Sequence, residues 1–107
     1  MALAVTQNEV IRIAREVAGI VRQFVPNRTY RVFLFGSWAS GNAGERSDID
    51  IGIEGPTPMD AAAMCDIRDA VEALPTMYSV DVVDLRQVDP RFRALATTHI
   101  MELEGAE

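Results

Sequence analysis

The segment DIDIGI, residues 48–53, alternates strictly between isoleucine and an acidic or small residue. Alternation with a period of two predicts a β-strand that is buried on one face. Successive side chains of a strand point to opposite faces, so Asp48 and Asp50 leave the strand on the same side. Two carboxylates this close repel each other unless a counter-charge lies nearby. The pair therefore predicts a site for a hard cation such as Mg²⁺, which prefers oxygen ligands and usually takes one or two carboxylates together with substrate phosphates.

A Gly-Ser pair precedes this segment and follows an apolar run. Residues 30–35, YRVFLF, are apolar on both faces from Val32 onward, which predicts a central strand. Gly36 then lets the backbone turn sharply and approach a ligand closely. Residues 38–46 are small and polar, which is typical of a short helical turn or a loop, and the free N–H groups of a helix start bind phosphate. With Ser37 adding a hydroxyl donor, this segment predicts a phosphate site beside the cation site.

A third carboxylate is expected from a neighbouring strand, and residues 78–83, YSVDVV, predict that strand. The two candidates are Asp81 and Asp84, which are three residues apart and so point to opposite faces of a regular strand. Asp84 lies at the end of the run, where a turn or cap role is natural. We therefore expect Asp81 to join the pair, to bind the catalytic metal and to act as the general base that takes a proton from an attacking hydroxyl.

The rest of the chain predicts helices on either side of these strands. Apolar residues recur at helical intervals over residues 6–24, from Thr57 (as N-cap, with Pro58 next) to about Leu74, and from Asp89-Pro90 to Gly105. The residues of the last helix expected to face inward are Phe92, Leu95, Ala96, Ile100 and Leu103. The order α-β-β-α-β-α predicts an α+β fold with two layers, a small mixed sheet of about three to four strands flanked by helices.

Composition limits the classes of protein that the chain can belong to. With 107 residues, we expect a single domain over residues 1–107. A net charge of −6 disfavours broad contact with a nucleic-acid polymer, but it leaves room for a nucleotide whose phosphates are bridged to carboxylates by a cation. The single cysteine, Cys65, cannot form an intrachain disulfide and is expected as a buried thiol. No targeting or membrane segment is recognised, so a cytoplasmic protein is expected.

Together these residues resemble the minimal nucleotidyltransferases of the DNA polymerase β superfamily. The family pattern is a hydrophobic residue, Gly-Ser, a spacer of about ten residues, and then Asp-x-Asp flanked by apolar residues. The stretch FGSWASGNAGERSDIDIGI contains it completely, and Asp81 follows in a β-rich run. The resemblance covers nearly the whole chain, and it supports a polymerase β-like nucleotidyltransferase fold.

The resemblance also implies an activity and a partner. Such proteins use ATP and two Mg²⁺ ions to move a nucleoside monophosphate onto a hydroxyl, with release of pyrophosphate. Many of them are antitoxins that add AMP to a tyrosine of a partner HEPN-domain ribonuclease toxin. Carried over by position, Gly36 and Ser37 hold the triphosphate, Asp48 and Asp50 bind both metals, and Asp81 binds the catalytic metal and activates the acceptor hydroxyl.

The chain departs from the family pattern at two positions. The sequence also leaves two alternative functions open. Family members often carry arginine where this chain has Trp38 and Ser40, and Arg46 is a candidate substitute. Trp38 either stacks on the base, faces the partner or packs in a short helix. The alternatives to a toxin-modifying enzyme are an inactive scaffold that neutralises a partner by binding alone, and a nucleotidyltransferase that acts on a small molecule such as an aminoglycoside.

Overall fold

The computed structural model of the chain describes residues 2–26, 29–44 and 47–103, with side chains from residue 7 onward. Helices and strands alternate along these ranges. Their bounds are α1 (Ala2–Phe24), β1 (Arg31–Phe35), α2 (Ser37–Ser40), β2 (Ile49–Glu54), α3 (Ala61–Glu72), β3 (Val80–Asp84), α4 (Pro90–Ala96) and β4 (Met101–Glu102). None of the described helices is both long and apolar enough to span a bilayer.

The four strands form one mixed sheet in the order β3-β2-β1-β4. The central strand β1 pairs antiparallel with β2 on one side and with β4 on the other. Strand β3 runs parallel to β2, because helix α3 carries the chain back to the same end of the sheet before β3 begins. The α+β class, the mixed sheet and the central position of YRVFLF are therefore confirmed.

The two faces of the sheet are covered unequally. The larger core lies on the face covered by α1 and α3, where side chains such as Leu34, Ile51 and Val82 are almost fully buried. The second core is smaller and consists of Phe33, Phe35, Leu85 and Ala96, with α4 packed over it. Because β2 places isoleucine on the first face, its alternate residues face the second one. The candidate carboxylates thus lie on the less covered face.

The start of the second long helix differs from the prediction. Helix α3 begins at Ala61 with Asp60 as its N-cap, and the Asp60 side chain accepts a hydrogen bond from the Ala63 N–H at 3.1 Å. Thr57 does not cap the helix; its hydroxyl is hydrogen-bonded to the Tyr30 hydroxyl at 2.9 Å. The Met59 N–H donates to the carboxylate of Asp84 at 2.8 Å, which fixes the segment before Asp60 outside the helix. Helix α1 likewise begins at Ala2, earlier than the predicted residue 6.

The last helix is much shorter than predicted. Asp89 caps it as expected, accepting from the Arg91 N–H at 2.7 Å, but the helix ends at Ala96. The hydroxyls of Thr97 and Thr98 donate to carbonyl groups of the final turn, which replaces the hydrogen bonds that a further turn would supply. The chain then adds β4 to the open edge of β1.

Two side chains of α4 that were predicted to face inward are exposed. Phe92 is 44% exposed and Leu95 is 74% exposed, so their predicted inward position is wrong, whereas Ala96 and Leu103 are buried. Cys65 is also exposed, contrary to expectation. It lies one residue beyond Met64 on α3, and a rotation of about 100° per residue turns it away from the buried stripe that begins there.

Candidate active site

Three strand ends bring the candidate acidic residues to one edge of the sheet. Asp50 is paired with Phe35, the last residue of β1, and on its other side with Asp81 of β3. Asp48 precedes β2 by one residue. Because Asp50 and Asp81 alternate with residues of the α1/α3 core, their side chains leave the opposite face of the sheet. The register therefore groups these three aspartates, and it excludes Asp84 from the group.

Gly36 joins β1 to α2 in a backbone conformation that only glycine adopts readily. Its φ of 75° and ψ of −155° lie in a region that is strongly disfavoured for residues with a Cβ atom. A Cβ built on Gly36 would overlap Oδ2 of Asp50 and lie 3.1 Å from its Cγ. The backbone of the Gly-Ser turn therefore passes directly against the Asp50 carboxylate, which places the proposed phosphate and cation sites side by side.

Helix α2 is a single turn that starts at Ser37. The N–H groups of Ala39 and Ser40 donate to the Gly36 carbonyl. The N–H groups of Ser37 and Trp38 have no acceptor within the described residues, as is usual for the first positions of a helix. These two donors and the Ser37 hydroxyl are available to a ligand at the end of β1.

Of the three roles that the sequence left open for Trp38, the structure supports packing in a short helix. It is buried, and its ring lies edge-on to Tyr78 with the centroids 6.3 Å apart. Its indole N–H donates to the carbonyl of Ser47 at 3.0 Å, which ties α2 to the residue immediately before Asp48. A buried tryptophan needs such an acceptor for its N–H. Trp38 thus holds the two halves of the motif together; Arg46, the other basic candidate, lies outside the described residues.

The electrostatics of the three aspartates are unfavourable in the absence of a counter-charge. Among the residues that the structure describes, none donates a hydrogen bond to the carboxylates of Asp48, Asp50 or Asp81. Asp50 is half-buried, and burial together with the neighbouring charges of Asp81 and Asp48 raises its pKa from 3.8 to about 6. An aspartate in a structural ion pair or a helix cap would have a lowered pKa. The raised pKa of Asp50 means instead that its ionised form is destabilised in the folded protein.

Asp84, the aspartate of β3 that was not expected to join the site, differs from the other three aspartates in its hydrogen bonds. Asp84 is buried and accepts three hydrogen bonds, from the N–H groups of Met59 and Arg86 and from Nε2 of Gln87. These bonds fix the segment before α3 and the turn after β3. Asp84 is therefore a structural brace, and only its position at the end of a strand pointed to that role in the sequence.

The residues present suit a divalent cation. The side chains of Asp48, Asp50, Asp81 and Ser37 offer oxygen donors only, which are the ligands that Mg²⁺ prefers. Burial, together with the charges of Asp81 and Asp48, raises the pKa of Asp50, and a bound cation would offset both effects. Within the described ranges, no three His, Cys, Asp or Glu side chains are already gathered as a metal cluster. The ligand assignment of Asp48, Asp50 and Asp81 therefore stays a prediction.

Comparison with known proteins identifies the family. Residues 6–102 match the family model described as polymerase beta, nucleotidyltransferase. The chain belongs to the polymerase β nucleotidyltransferase family. This nucleotidyltransferase is 32% identical over 79 residues to the probable protein adenylyltransferase MntA of Haemophilus influenzae, and the match covers 74% of this chain and 68% of that protein.

Solved structures with a similar fold include two toxin–antitoxin complexes. A mutant MntA–HpeT toxin–antitoxin structure matches with a TM-score of 0.63 at 24% identity, over 86% of this chain and 73% of the other. The complex of a tri-AMPylated Shewanella oneidensis HEPN toxin with an MNT antitoxin matches with a TM-score of 0.52 at 23% identity, over 95% of this chain and 71% of the other. At these identities the likeness shows that the nucleotidyltransferase fold is shared.

The two aspartates of β3 give a matched pair of variants. Asp81→Asn is expected to abolish nucleotidyl transfer while leaving the free energy of unfolding within about 0.5 kcal/mol, because Asp81 is exposed. Asp84→Asn is expected to lower the free energy of unfolding by about 2 kcal/mol, because one amide oxygen cannot serve donors on both sides. Denaturant unfolding and transfer rates check both. If folded Asp84→Asn lost more transfer activity than Asp81→Asn, the active site would lie on the opposite face of the sheet from the one assigned to it.

Proposed function

We propose that this nucleotidyltransferase is an antitoxin that transfers AMP from ATP to a tyrosine hydroxyl of a partner HEPN-domain toxin and so neutralises it, with residues 1–107 as one minimal domain. The name of the H. influenzae relative supports protein adenylylation. The pairing of an MNT antitoxin with an AMPylated HEPN toxin in the S. oneidensis complex supports this type of partner.

The observation that carries the proposal is the state of Asp48, Asp50 and Asp81. They share one end of the sheet, they accept no hydrogen bond within the described part of the chain, and their repulsion contributes to the raised pKa of Asp50. A scaffold that acts by binding alone gains nothing from such a group, because it lowers the stability of the fold. A catalyst gains a site for a cation and a phosphate chain, which argues for an enzyme.

Roles follow from where each group lies. Gly36, Ser37 and the two unpaired N–H groups at the start of α2 bind the triphosphate of ATP. Asp48 and Asp50 hold two Mg²⁺ ions, and Asp81 contributes to the catalytic one. The bound cations supply charge neutralisation on the phosphates and make the acceptor hydroxyl more acidic. Trp38 keeps Ser37 and Asp48 at a fixed separation through its bond to Ser47.

The transfer step balances with these groups. The tyrosine oxygen attacks the α-phosphorus of ATP, and Asp81 takes the hydroxyl proton as general base. The bond between the α-phosphorus and the bridging oxygen to the β-phosphate breaks, and pyrophosphate leaves with that bond's electron pair. The product is a tyrosine phosphodiester of AMP. Asp50 at neutral pH is ionised, since its pKa is about 6, and therefore competent as a ligand.

An intact-mass measurement tests the proposal. A purified HEPN-domain toxin is incubated with the chain, ATP and Mg²⁺, and the mass of the toxin is then determined. We expect the mass to rise by one or more AMP groups, and we expect no rise when EDTA replaces Mg²⁺. An unmodified HEPN protein that is nonetheless inhibited would support the scaffold instead. AMP found only on an added aminoglycoside would support the small-molecule transferase.

A further inference from the structure

The face of the sheet that bears the carboxylates has an exposed apolar patch beside them. Helix α4 is seven residues long and packs over this face through Ala96, but it leaves Phe92 and Leu95 in solvent, at 44% and 74% exposure. Arg91 lies one helical turn before Leu95, so the three side chains share the outer side of α4. We refer to Arg91, Phe92 and Leu95 as the α4 patch.

The α4 patch is continuous with the candidate active site. The Phe92 ring lies edge-on to the ring of Phe35, with the centroids 6.3 Å apart. Phe35 is in turn the cross-strand partner of Asp50. A single side chain therefore separates the patch from the half-buried carboxylate. A macromolecule that presents a hydroxyl to Asp50 and Asp81 has to approach from this face, because α1 and α3 cover the other one.

Arg91 differs from the other arginines around α4. The Arg93 guanidinium forms an ion pair with Glu54, and its Nε donates to that carboxylate at 2.6 Å. The Arg86 Nε donates to the Gly55 carbonyl at 2.6 Å. The Arg91 guanidinium has no hydrogen-bond or ion-pair partner in the part of the chain that the structure describes. A cation that is left free beside two exposed apolar side chains suits a partner carboxylate at the rim of an apolar contact.

We propose that the α4 patch is the docking surface for the protein that carries the acceptor hydroxyl. This inference rests on the proposed function and adds the partner's chemistry to it. The partner presents an apolar recess that receives Leu95 and the exposed edge of Phe92, with a carboxylate facing Arg91. Docking there brings a hydroxyl on the partner over Asp50 and Asp81. The net charge of −6 argues against a nucleic acid as occupant, and a second copy of this chain would obstruct access to its own carboxylates.

The substitution Leu95→Glu tests the α4 patch with little risk to the fold. Leu95 is 74% exposed, and glutamate is as good a helix former as leucine. Phe24→Glu is the matched control, because Phe24 is 40% exposed at the end of α1, in the other layer. AMP transfer to a purified HEPN-domain toxin is measured as a function of that protein's concentration. Binding of Mg²⁺-ATP is measured separately by thermal shift without the HEPN protein.

We expect Leu95→Glu to raise the KM for the HEPN protein at least about tenfold, which is typical of losing a central interface contact. The Mg²⁺-ATP thermal shift is expected to match that of the wild type, and Phe24→Glu is expected to leave both quantities unchanged. An unchanged KM in Leu95→Glu, with active wild type, would overturn the docking surface and leave the proposed function standing. Absence of transfer by the wild type would overturn the proposed function itself.

Two further outcomes separate other occupants from the acceptor protein. Sedimentation of the chain alone shows whether the patch holds a second copy: a wild-type dimer that Leu95→Glu converts to monomers would assign the patch to self-association and contradict the proposal. The variant Arg91→Glu provides the charge test. We expect it to raise the same KM, and we expect the increase to shrink at high salt, where screening weakens charge repulsion at the interface.

Discussion

Replacing Asp50 by asparagine is expected to abolish AMP transfer and to make the protein more stable in the absence of metal. Transfer is expected to fall at least about 10³-fold, because the proposed function makes Asp50 a ligand of both cations, and such a ligand contributes several kcal/mol to the transition state. Asparagine keeps the shape of the side chain but removes a charge that burial disfavours and that Asp81 and Asp48 repel. Loss of activity thus comes with a gain in stability, which a merely structural aspartate would not give.

The pKa of Asp50 fixes the pH range of that gain. The carboxyl ionises near pH 3.8 when the chain is unfolded and near 6 in the folded protein. Between these values the folded protein holds a proton that the unfolded chain has lost, so the free energy of unfolding decreases as the pH rises. Above pH 6 the penalty is complete, and below 3.8 it is absent. Asp50→Asn escapes it, so its advantage appears on the alkaline side only.

Thermal unfolding in EDTA at pH 8 and pH 4 measures this effect. After allowance for solvent screening of a half-buried group, we expect a gain of about 1 kcal/mol at the higher pH, or a Tm higher by roughly 4–8 °C. The exposed Asp66→Asn on α3 is the control, and it is expected to change neither Tm nor transfer. Equal stability of Asp50→Asn and wild type at pH 8, or transfer at the wild-type rate, would remove Asp50 from the role assigned to it.

The second large effect is expected at Gly36. Gly36→Ala places a Cβ against the Asp50 carboxylate, in a backbone region that costs a residue other than glycine about 1–3 kcal/mol. The overlap with Asp50 adds to that cost, because Oδ2 and Cγ both lie too near to remain in place. We expect the free energy of unfolding to fall by about 3 kcal/mol or more and transfer to be lost even where the protein remains folded.

Gly41 supplies the matched control for this substitution. It caps the other end of α2 at a φ of 88°, but a Cβ there meets nothing within 4 Å. Gly41→Ala therefore carries only the conformational cost, about 1 kcal/mol, and is expected to retain transfer. Denaturant unfolding and transfer rates distinguish the two variants. Similar losses in both would mean that positive φ alone, and not the approach to Asp50, makes Gly36 necessary.

The sequence predicted the parts of the fold that depend on local pattern. Strict alternation in residues 48–53 placed Asp50 on the face opposite the isoleucines, and the odd spacing between Asp81 and Asp84 separated the two aspartates. Gly-Ser at the end of an apolar run marked the sharp turn into α2. These features survive because the buried face of a strand fixes its register: a shift of one residue would turn every isoleucine outward.

The parts that the sequence could not predict depend on contacts distant in the chain. The position of the α3 start is set by Asp84, which holds the Met59 N–H from 25 residues away. The apolar residues after Asp89 follow a helical pattern, yet Met101 pairs with the open edge of β1 as part of β4. Tertiary pairing outweighed helical periodicity there. The α4 patch could not be predicted from the sequence, because the apolar stripe indicated inward positions for Phe92 and Leu95, which are exposed.

The position of the radioactive label that reaches the HEPN-domain protein tests the central claim most directly. The chain is incubated with Mg²⁺ and that protein, once with ATP labelled at the α-phosphate and once with ATP labelled at the γ-phosphate. The account predicts that label from the α-phosphate enters the HEPN protein, that label from the γ-phosphate is released in pyrophosphate, and that the Asp48→Asn/Asp50→Asn variant incorporates neither. Incorporation from the γ-position, or equal incorporation by the double variant, would contradict the account.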